Sequence, residues 1–472
     1  MMDTVTIWSR GLLGVVVLLA LVTLLSANRK AINWRLVAGG IGLQFMLGLL
    51  ILRVPFVRRL FEYASSFFVA ILDFTGEGAE FLFGGLVADM GTFGFIFTFQ
   101  VLPTIVFFSA LTSLLYYLGI LQRIVYGFAW VMSKAMALSG AESVAAAANV
   151  FVGQTEAPLV IKPYIPKMSR SEIMALMTGG MATIAGAVLV AYIGLLAGDD
   201  PALRAQYATH LLVASIMNAP AALVIAKIII PETESVERDI LIAKEEIGSN
   251  SLDALAGGTT QGLQLALNVG AMLLVFIAMV AMVNAMFGLV GSIQFGQFAG
   301  LNELMVQWTD GRFEGLSMQS IMAFVFAPIA WVIGVSGQDI LVFGSLLGEK
   351  MIINEFVAYN SLTAARDAEL FVDPRSVMIA TFALCGFANL SSIGIQIGGI
   401  SVLAPAKRAM LCSLGVRAMI GGTVATLLTA TLAGMLLTVP APEPETELGA
   451  EDHQIEAVIS TSSAYSKSSS NS

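Results

Sequence analysis

The chain has 472 residues, 57% hydrophobic and 12% charged, with a mean hydropathy of +0.84. A soluble domain carries roughly twice that charged fraction, and apolar stretches near the ~20 residues that cross a bilayer recur along most of the length, so a soluble fold is excluded. The stretches are continuous and rich in Ala, Leu and Met, against a β-barrel, and the net charge of −9 argues against nucleic acid as a partner.

The expected class is therefore an all-α polytopic membrane protein, and its elements follow in chain order. The first apolar run, 7–27, follows Asp3 instead of a basic cluster and lacks a small-residue cleavage pattern, so it reads as a retained span. A second span covers 36–52. Residues 57–72, amphipathic and basic at Arg58 and Arg59, read as a helix lying in the interface, and Asp73, Glu77 and Glu80 mark a short outer loop or helix. Further spans fall at 93–118, 173–196, 208–230, 262–290, 376–402 and 417–439, which makes eight. Two other apolar stretches, 136–160 and 322–359, are broken midway by glycine and polar residues with a carboxylate inside. Broken backbone at membrane depth is tolerated only where protein or water covers it, so these read as re-entrant hairpins. Between the spans, 231–258 reads as an inner loop with a surface helix near 236–246, and from Pro440 the Pro/Glu/Ser-rich composition predicts disorder.

Positive charge orients the chain. Arg29, Lys30 and Arg35, then Arg123, Lys134, Lys162, Lys167 and Arg170, then Lys407, Arg408 and Arg417 all lie inside if both termini lie outside. Arg53, Arg58 and Arg59 dissent, which the interfacial helix accounts for. The domains expected are 1–92, a first repeat 93–230 with its hairpin at about 131–165, an inner loop 231–261, a second repeat 262–402 with its hairpin at about 317–360, a last span 403–439 and a tail 440–472.

Glu156 and Glu355 carry the functional argument. Each lies inside a broken apolar stretch, where a carboxylate costs several kcal/mol unless it meets water, a partner or a ligand. Downstream of Glu156 comes Gly180-Met-Ala-Thr-Ile184, and downstream of Glu355 comes Gly386-Phe-Ala-Asn-Leu390. Both have the form glycine, large apolar, alanine, small polar, aliphatic, so each hairpin is followed by a span broken at a polar point. Hairpins entering from opposite sides would make the repeats inverted, the architecture of a secondary transporter with a midplane site. The blander reading of Gln154 and Thr155 is a polar contact gluing helices together. Cys385 and Cys412 sit in apolar context and read as buried, reduced thiols. His210 and His453 are too far apart in sequence to support a His-based metal site.

The segments Gln100-Val-Leu-Pro-Thr-Ile-Val-Phe-Phe-Ser109, Gly153-Gln-Thr-Glu-Ala-Pro-Leu159, Lys162-Pro-Tyr164, Leu265-Ala-Leu-Asn-Val-Gly-Ala271, Asn354-Glu-Phe-Val-Ala-Tyr359 and Cys385-Gly-Phe-Ala-Asn-Leu-Ser-Ser392 resemble, in this order, those of the concentrative nucleoside transporter family. The resemblance runs from about residue 30 to 438. It implies a homotrimer in the bacterial inner membrane, importing one nucleoside with sodium by an elevator-like movement of the hairpin domains against a scaffold. It assigns Gln154, Thr155 and Glu156 to the nucleobase with Val188 nearby, Glu355, Asn389 and Ser392 to the ribose hydroxyls, and Phe387 to base packing. It assigns Asn149 and Thr183, with carbonyls of Val152, Thr183 and Ile184, to sodium. That set is all oxygen and free of carboxylate, suited to a hard, readily released cation. Thr183 stands where the family's usual residue is serine. Taken alone, Thr183 reads as bonded back to its own helix, Asn149 as an interhelical contact and Phe387 as core.

The expected partners are a uridine-like pyrimidine nucleoside or a purine one, sodium and lipid, with no organic cofactor. The rival within this fold couples protons through Glu156 or Glu355. A membrane enzyme using the two carboxylates lacks an accompanying nucleophile–base pair or metal ligand set, and a channel or receptor is the third alternative.

Overall fold

The computed structural model describes residues 4–94, 96–198, 200–240, 248–293 and 300–437, and every regular element in them is helical. Asn33 separates α1 (Thr4–Leu24) from α2 (Trp34–Arg53) and caps α2 by accepting from the amides of Arg35 and Leu36. Pro55 opens α3 (Pro55–Phe83). The single turns α4 (Gly85–Ala88), α5 (Met90–Phe93) and α6 (Phe97–Gln100) lead into α7 (Leu102–Tyr117), followed by α8 (Ile120–Met136). A helical hairpin then runs from α9 (Gly140–Asn149) through a seven-residue tip, 150–156, to α10 (Ala157–Val160). The next span is broken into α11 (Arg170–Ala182) and α12 (Gly186–Ala197), and α13 (Pro201–Ile229) closes the first repeat.

The same order recurs. Here α14 (Ser251–Gly291) is the leading span, followed by α15 (Leu301–Trp308) and α16 (Met318–Val332). The second hairpin is α17 (Ile340–Ile352) and α18 (Glu355–Asp367), the broken span is α19 (Pro374–Leu384) and α20 (Leu390–Leu403), and α21 (Arg408–Leu436) ends the repeat. Among the described residues, seven continuous or joined helices are long and apolar enough to cross a bilayer. With the two shorter apolar pieces α19 and α20 they account for the eight expected spans.

Helix starts match local chemistry. Ser139 with Glu142 and Ser169 with Glu172 form capping boxes at α9 and α11. Asn354 and Asn389 cap α18 and α20. Both hairpins begin later than the sequence pattern indicates. Ala137, at φ 52°, and the Ser139 cap end α8 as a separate helix, and Gly334, at φ 103°, ends α16 likewise. Apolar residues run through Ala137 and Leu138, which hides the first turn, whereas the polar run Ser336-Gly-Gln-Asp339 marks the second. Residues 236–240 of the expected surface helix are not helical, and 241–246 lie outside the described residues, as do residue 439 and the tail. The 237–240 stretch is held instead by the first hairpin: the Gly140 amide donates to the Glu237 carbonyl (3.0 Å) and the Tyr164 hydroxyl to that of Asp239 (3.2 Å).

The core is α13, buried along most of its length and packed against α11, α12 and α21. By contrast, α14 buries only Ala254, Gly258, Gly262, Ala266 and Gly291. Four of these form a small-residue stripe on α7, close enough that a β-carbon at 258 or 262 would lie 2.8 Å from the Cα of Ala110 or Val106. The rest of α14 presents Leu, Ile, Val and Met outward, as a lipid-facing surface requires. At the base of the first hairpin, buried Lys227 pairs with Glu142 and with Glu232 (3.2 Å) and donates to the Ser171 hydroxyl (2.9 Å).

The two broken spans meet at Asn218 of α13. Its amide nitrogen donates to the carbonyls of Ala182 and Cys385, both at 2.8 Å, and so serves the ends of α11 and α19 together. Gly386, at φ 155°, lets the second break approach the first, since a β-carbon there would lie 2.6 Å from the Ala182 carbonyl oxygen. Asn218→Ala strips both carbonyls of their donor and is expected to cost about 2–3 kcal/mol. Unfolding of the purified protein in detergent measures this, and an unchanged midpoint would contradict the assigned role.

Candidate functional site

Both hairpin tips converge on the break between α19 and α20. Glu355 is the first residue of α18 and is 3% exposed. Its Oε1 accepts from the Tyr192 hydroxyl of α12 at 2.8 Å, and its Oε2 from the Asn389 amide nitrogen at 2.9 Å. Asn389 holds its place as the cap of α20, its Oδ1 accepting from the Ser392 amide (2.8 Å) and the Ser391 hydroxyl (2.7 Å). The Ser392 hydroxyl in turn accepts from the Gln154 amide nitrogen of the first hairpin, 3.1 Å away. A continuous chain of polar contacts therefore runs Gln154, Ser392, Asn389, Glu355, Tyr192. It links the hairpin tips through one helix cap.

Gln396 extends this chain. Its Nε2 donates to Gln154 Oε1 and to the Met177 carbonyl, both at 3.0 Å, while its own Oε1 is buried without a partner. Gln396 and Tyr192 were not singled out in the sequence. The available signal was a single amide in the apolar run 393–400 and a single hydroxyl in 186–197, which is also what an ordinary interhelical contact looks like.

The other nucleobase candidates lie outside that chain. Thr155 is exposed at the tip, with its methyl toward Gly399. Glu156 is half-buried; its Oε2 is shielded, has no partner and lies over Gly153, where any β-carbon would collide with it. Val188 is buried in the first turn of α12, and Phe387 is half-buried within the second break.

The ion candidates form a second cluster at the first break. Asn149, the last residue of α9, is 1% exposed, and neither atom of its amide has a protein partner. It faces Gly179 in the last turn of α11, where a β-carbon would lie 3.4 Å from its Nδ2. Thr183 caps α11 and donates its hydroxyl to the Gly179 carbonyl (2.9 Å), the local bond its residue type favours. That bond uses the proton and leaves the oxygen lone pairs for a cation. The Gly186 amide bonds the Phe151 carbonyl at 3.0 Å, pinning the first tip to the start of α12. The carbonyls of Val152, Thr183 and Ile184 accept no hydrogen bond among the described residues. An orphaned buried amide oxygen, a hydroxyl and three unused carbonyls fit a hard monovalent cation. Adjacent glycines join the two clusters: Gly179 faces Asn149, and Gly180 faces Gln154 and Gln396.

The long apolar helices define a polytopic membrane protein, and comparison with known proteins specifies which. Profiles described as the Na+ dependent nucleoside transporter N-terminus and C-terminus match residues 13–86 and 210–434, and one described as nucleoside recognition matches 98–198. An uncharacterized transporter of Haemophilus influenzae is 42% identical over 91% of this chain and 98% of its own. The sodium/nucleoside cotransporter 1 of Rattus norvegicus is 38% identical over 90% of this chain and 63% of its own. Solved structures of CNTnw superimpose in an inward-facing substrate-bound state (TM-score 0.81, 40% identity, 91% and 99% coverage) and in an outward-facing state (TM-score 0.82, 39% identity, 92% and 99% coverage). The chain belongs to the concentrative nucleoside transporter family. It is a multi-pass membrane transporter of nucleosides.

Tyr192→Phe removes one of the two hydrogen bonds to Glu355 and leaves the ring packing on Phe356 and Tyr359 intact. Nucleoside affinity is expected to fall by about 1.5–3 kcal/mol, roughly ten- to 150-fold. Isothermal titration of purified protein reads this directly, and unaltered affinity would remove Tyr192 from the site.

Proposed function

We propose that this chain is a sodium-coupled nucleoside symporter that imports nucleosides across the bacterial inner membrane by an elevator-type movement. The single observation that carries the reading is the contiguity of the two clusters on one turn of α11. Gly179 and Gly180 place the orphaned Asn149 amide and the Gln154 amide on neighbouring faces, so an ion that orders the first tip also orders the nucleoside's ligands.

In this reading Gln154, Thr155 and Glu156 meet the donors and acceptors of the base edge, with Val188 and Phe387 against its face. Glu355 accepts from the ribose hydroxyls as charge-assisted bonds, while Asn389 and Ser392 orient it. Tyr192 already donates to that carboxylate, which keeps it acceptor-only toward a ribose. Sodium binds Asn149, Thr183 and the carbonyls of Val152, Thr183 and Ile184. The membrane potential drives the import: one charge moved through 100 mV contributes about 2.3 kcal/mol, or about 50-fold accumulation. The hairpins, broken spans, α13 and α21 form the moving body. The scaffold is α1–α3, α7 and α14, whose exposed apolar surface suits lipid and a homotrimer.

Uptake of labelled uridine into proteoliposomes tests this. Replacing sodium by choline should abolish concentrative uptake, and Asn149→Leu should do the same with the fold retained. Glu355→Gln should lower uptake about 100-fold, since a neutral amide forfeits two charge-assisted bonds. Full uptake in choline with an acidic exterior would replace the sodium reading by proton coupling, for which the unpaired Glu156 oxygen is the available group.

A further inference from the structure

One buried carboxylate lies outside both polar clusters. Glu349, on the leading helix α17 of the second hairpin, is 4% exposed. Its Oε1 accepts from the Gln319 amide nitrogen of α16 at 3.0 Å. Gln319 is held in turn by Asn284 of α14, whose amide nitrogen donates to Gln319 Oε1 at 2.9 Å. The other carboxylate oxygen, Glu349 Oε2, is buried without a hydrogen-bond partner among the described residues. A bare carboxylate oxygen in an apolar interior costs free energy that a donor on a ligand would recover.

Glu349 lines a cavity of about 470 Å³ between the second hairpin and α14, a volume within the range of small-molecule sites. Gln319, Asn360 and Ser361 add polar groups to its lining, Leu273 and Val280 of α14 add aliphatic ones, and Phe97 and Phe356 add aromatic rings. Phe356 links this cavity to the Glu355 site. Its ring lies 5.9 Å from that of Phe97 and 4.8 Å from that of Tyr192, whose hydroxyl donates to Glu355. Asn360 and Ser361 follow Glu355 on α18, roughly 8 Å along the helix. The residue types repeat those gathered at Glu355, where Asn389 and Ser392 accompany the carboxylate. A vicinal diol brings two donors, which a half-used carboxylate accepts as charge-assisted bonds, and a base brings a flat face for rings and aliphatic walls. An anion would be repelled by Glu349, and an acyl chain would leave its Oε2 bare.

We propose that this cavity is a second nucleoside station, in which Glu349 accepts from the ribose hydroxyls, Asn360 and Ser361 add polar contacts, and Phe97 and Phe356 flank the base. The parallel with Glu355 rests on the ribose reading given above. A nucleoside held beside Phe356 adjoins the Glu355 site, so the station raises the local supply of nucleoside at the second hairpin tip and holds a second molecule while the first is bound.

Equilibrium dialysis of labelled uridine against the purified full-length protein, in saturating sodium, tests the proposal. Wild type should bind two uridines per chain, one tightly and one weakly, and uracil, which lacks the ribose, should not compete for the weak site. Glu349→Leu exchanges a half-bonded buried carboxylate for an apolar group of similar size, a change that buried sites often tolerate. It should keep the tight site and lose the weak one. Ser361→Trp, which fills the cavity from α18 and leaves Glu349 in place, should do the same, so the proposal stays testable if Glu349→Leu fails to fold. A wild type that binds a single uridine overturns the proposal, as does a Glu349→Leu protein that melts normally and still binds two. A weak site that takes tetramethylammonium in preference to uridine assigns the cavity to an organic cation and overturns it as well. Glu355→Gln should weaken only the tight site. If it leaves the tight site unchanged, the ribose reading fails instead, and the two failures are told apart because the weak site is then still lost in Glu349→Leu.

Discussion

The structure depends on how broken backbone is satisfied inside an apolar interior. Two spans and two hairpins interrupt their helices where water is scarce, and every interruption releases amide and carbonyl groups that cost free energy if left bare. Side chains and backbone amides cover several of them. Asn218 serves Ala182 and Cys385, Lys350 serves Ala383, Asn389 serves the Ser392 amide, and the Gly186 backbone amide serves the Phe151 carbonyl. The carbonyls of Val152, Thr183 and Ile184 are left over, beside an orphaned Asn149 amide. An orphaned buried amide beside unused carbonyls and a hydroxyl is the physical ground for expecting an ion at the first break.

Small residues make that arrangement possible. Gly153, Gly180 and Gly386 sit where a β-carbon would strike Glu156, Gln396 or the Ala182 carbonyl. The Ala254, Gly258, Gly262 and Ala266 stripe lets α14 approach α7 closely without polar glue. Close approach is thus used in two ways: at the breaks it brings polar groups of both repeats together, and along α7 and α14 it makes a smooth seam beside an apolar outer surface.

Much of this was legible in the sequence because it is local. Span length and uniform apolarity place the helices, and a carboxylate within an apolar stretch marks a polar site by its cost. The turn before the first hairpin was not legible, since apolar residues continue through Ala137 and Leu138, where only the backbone conformation breaks the helix. The expected surface helix does not begin at 236 for another reason: the backbone of Glu237 and Asp239 is taken by the first hairpin, a contact that no local propensity encodes.

By itself the sequence determined an all-helical chain with eight apolar spans, two interrupted hairpins and two costly glutamates, because hydropathy, caps and breakers act within a few residues. Only the tertiary structure decided which polar groups meet. Gln154 is 238 residues from Ser392, Tyr192 is 163 from Glu355, and Asn218 joins breaks on opposite sides of it in the chain. In an apolar interior each such group must find a partner wherever packing delivers one, and packing is a property of the whole fold.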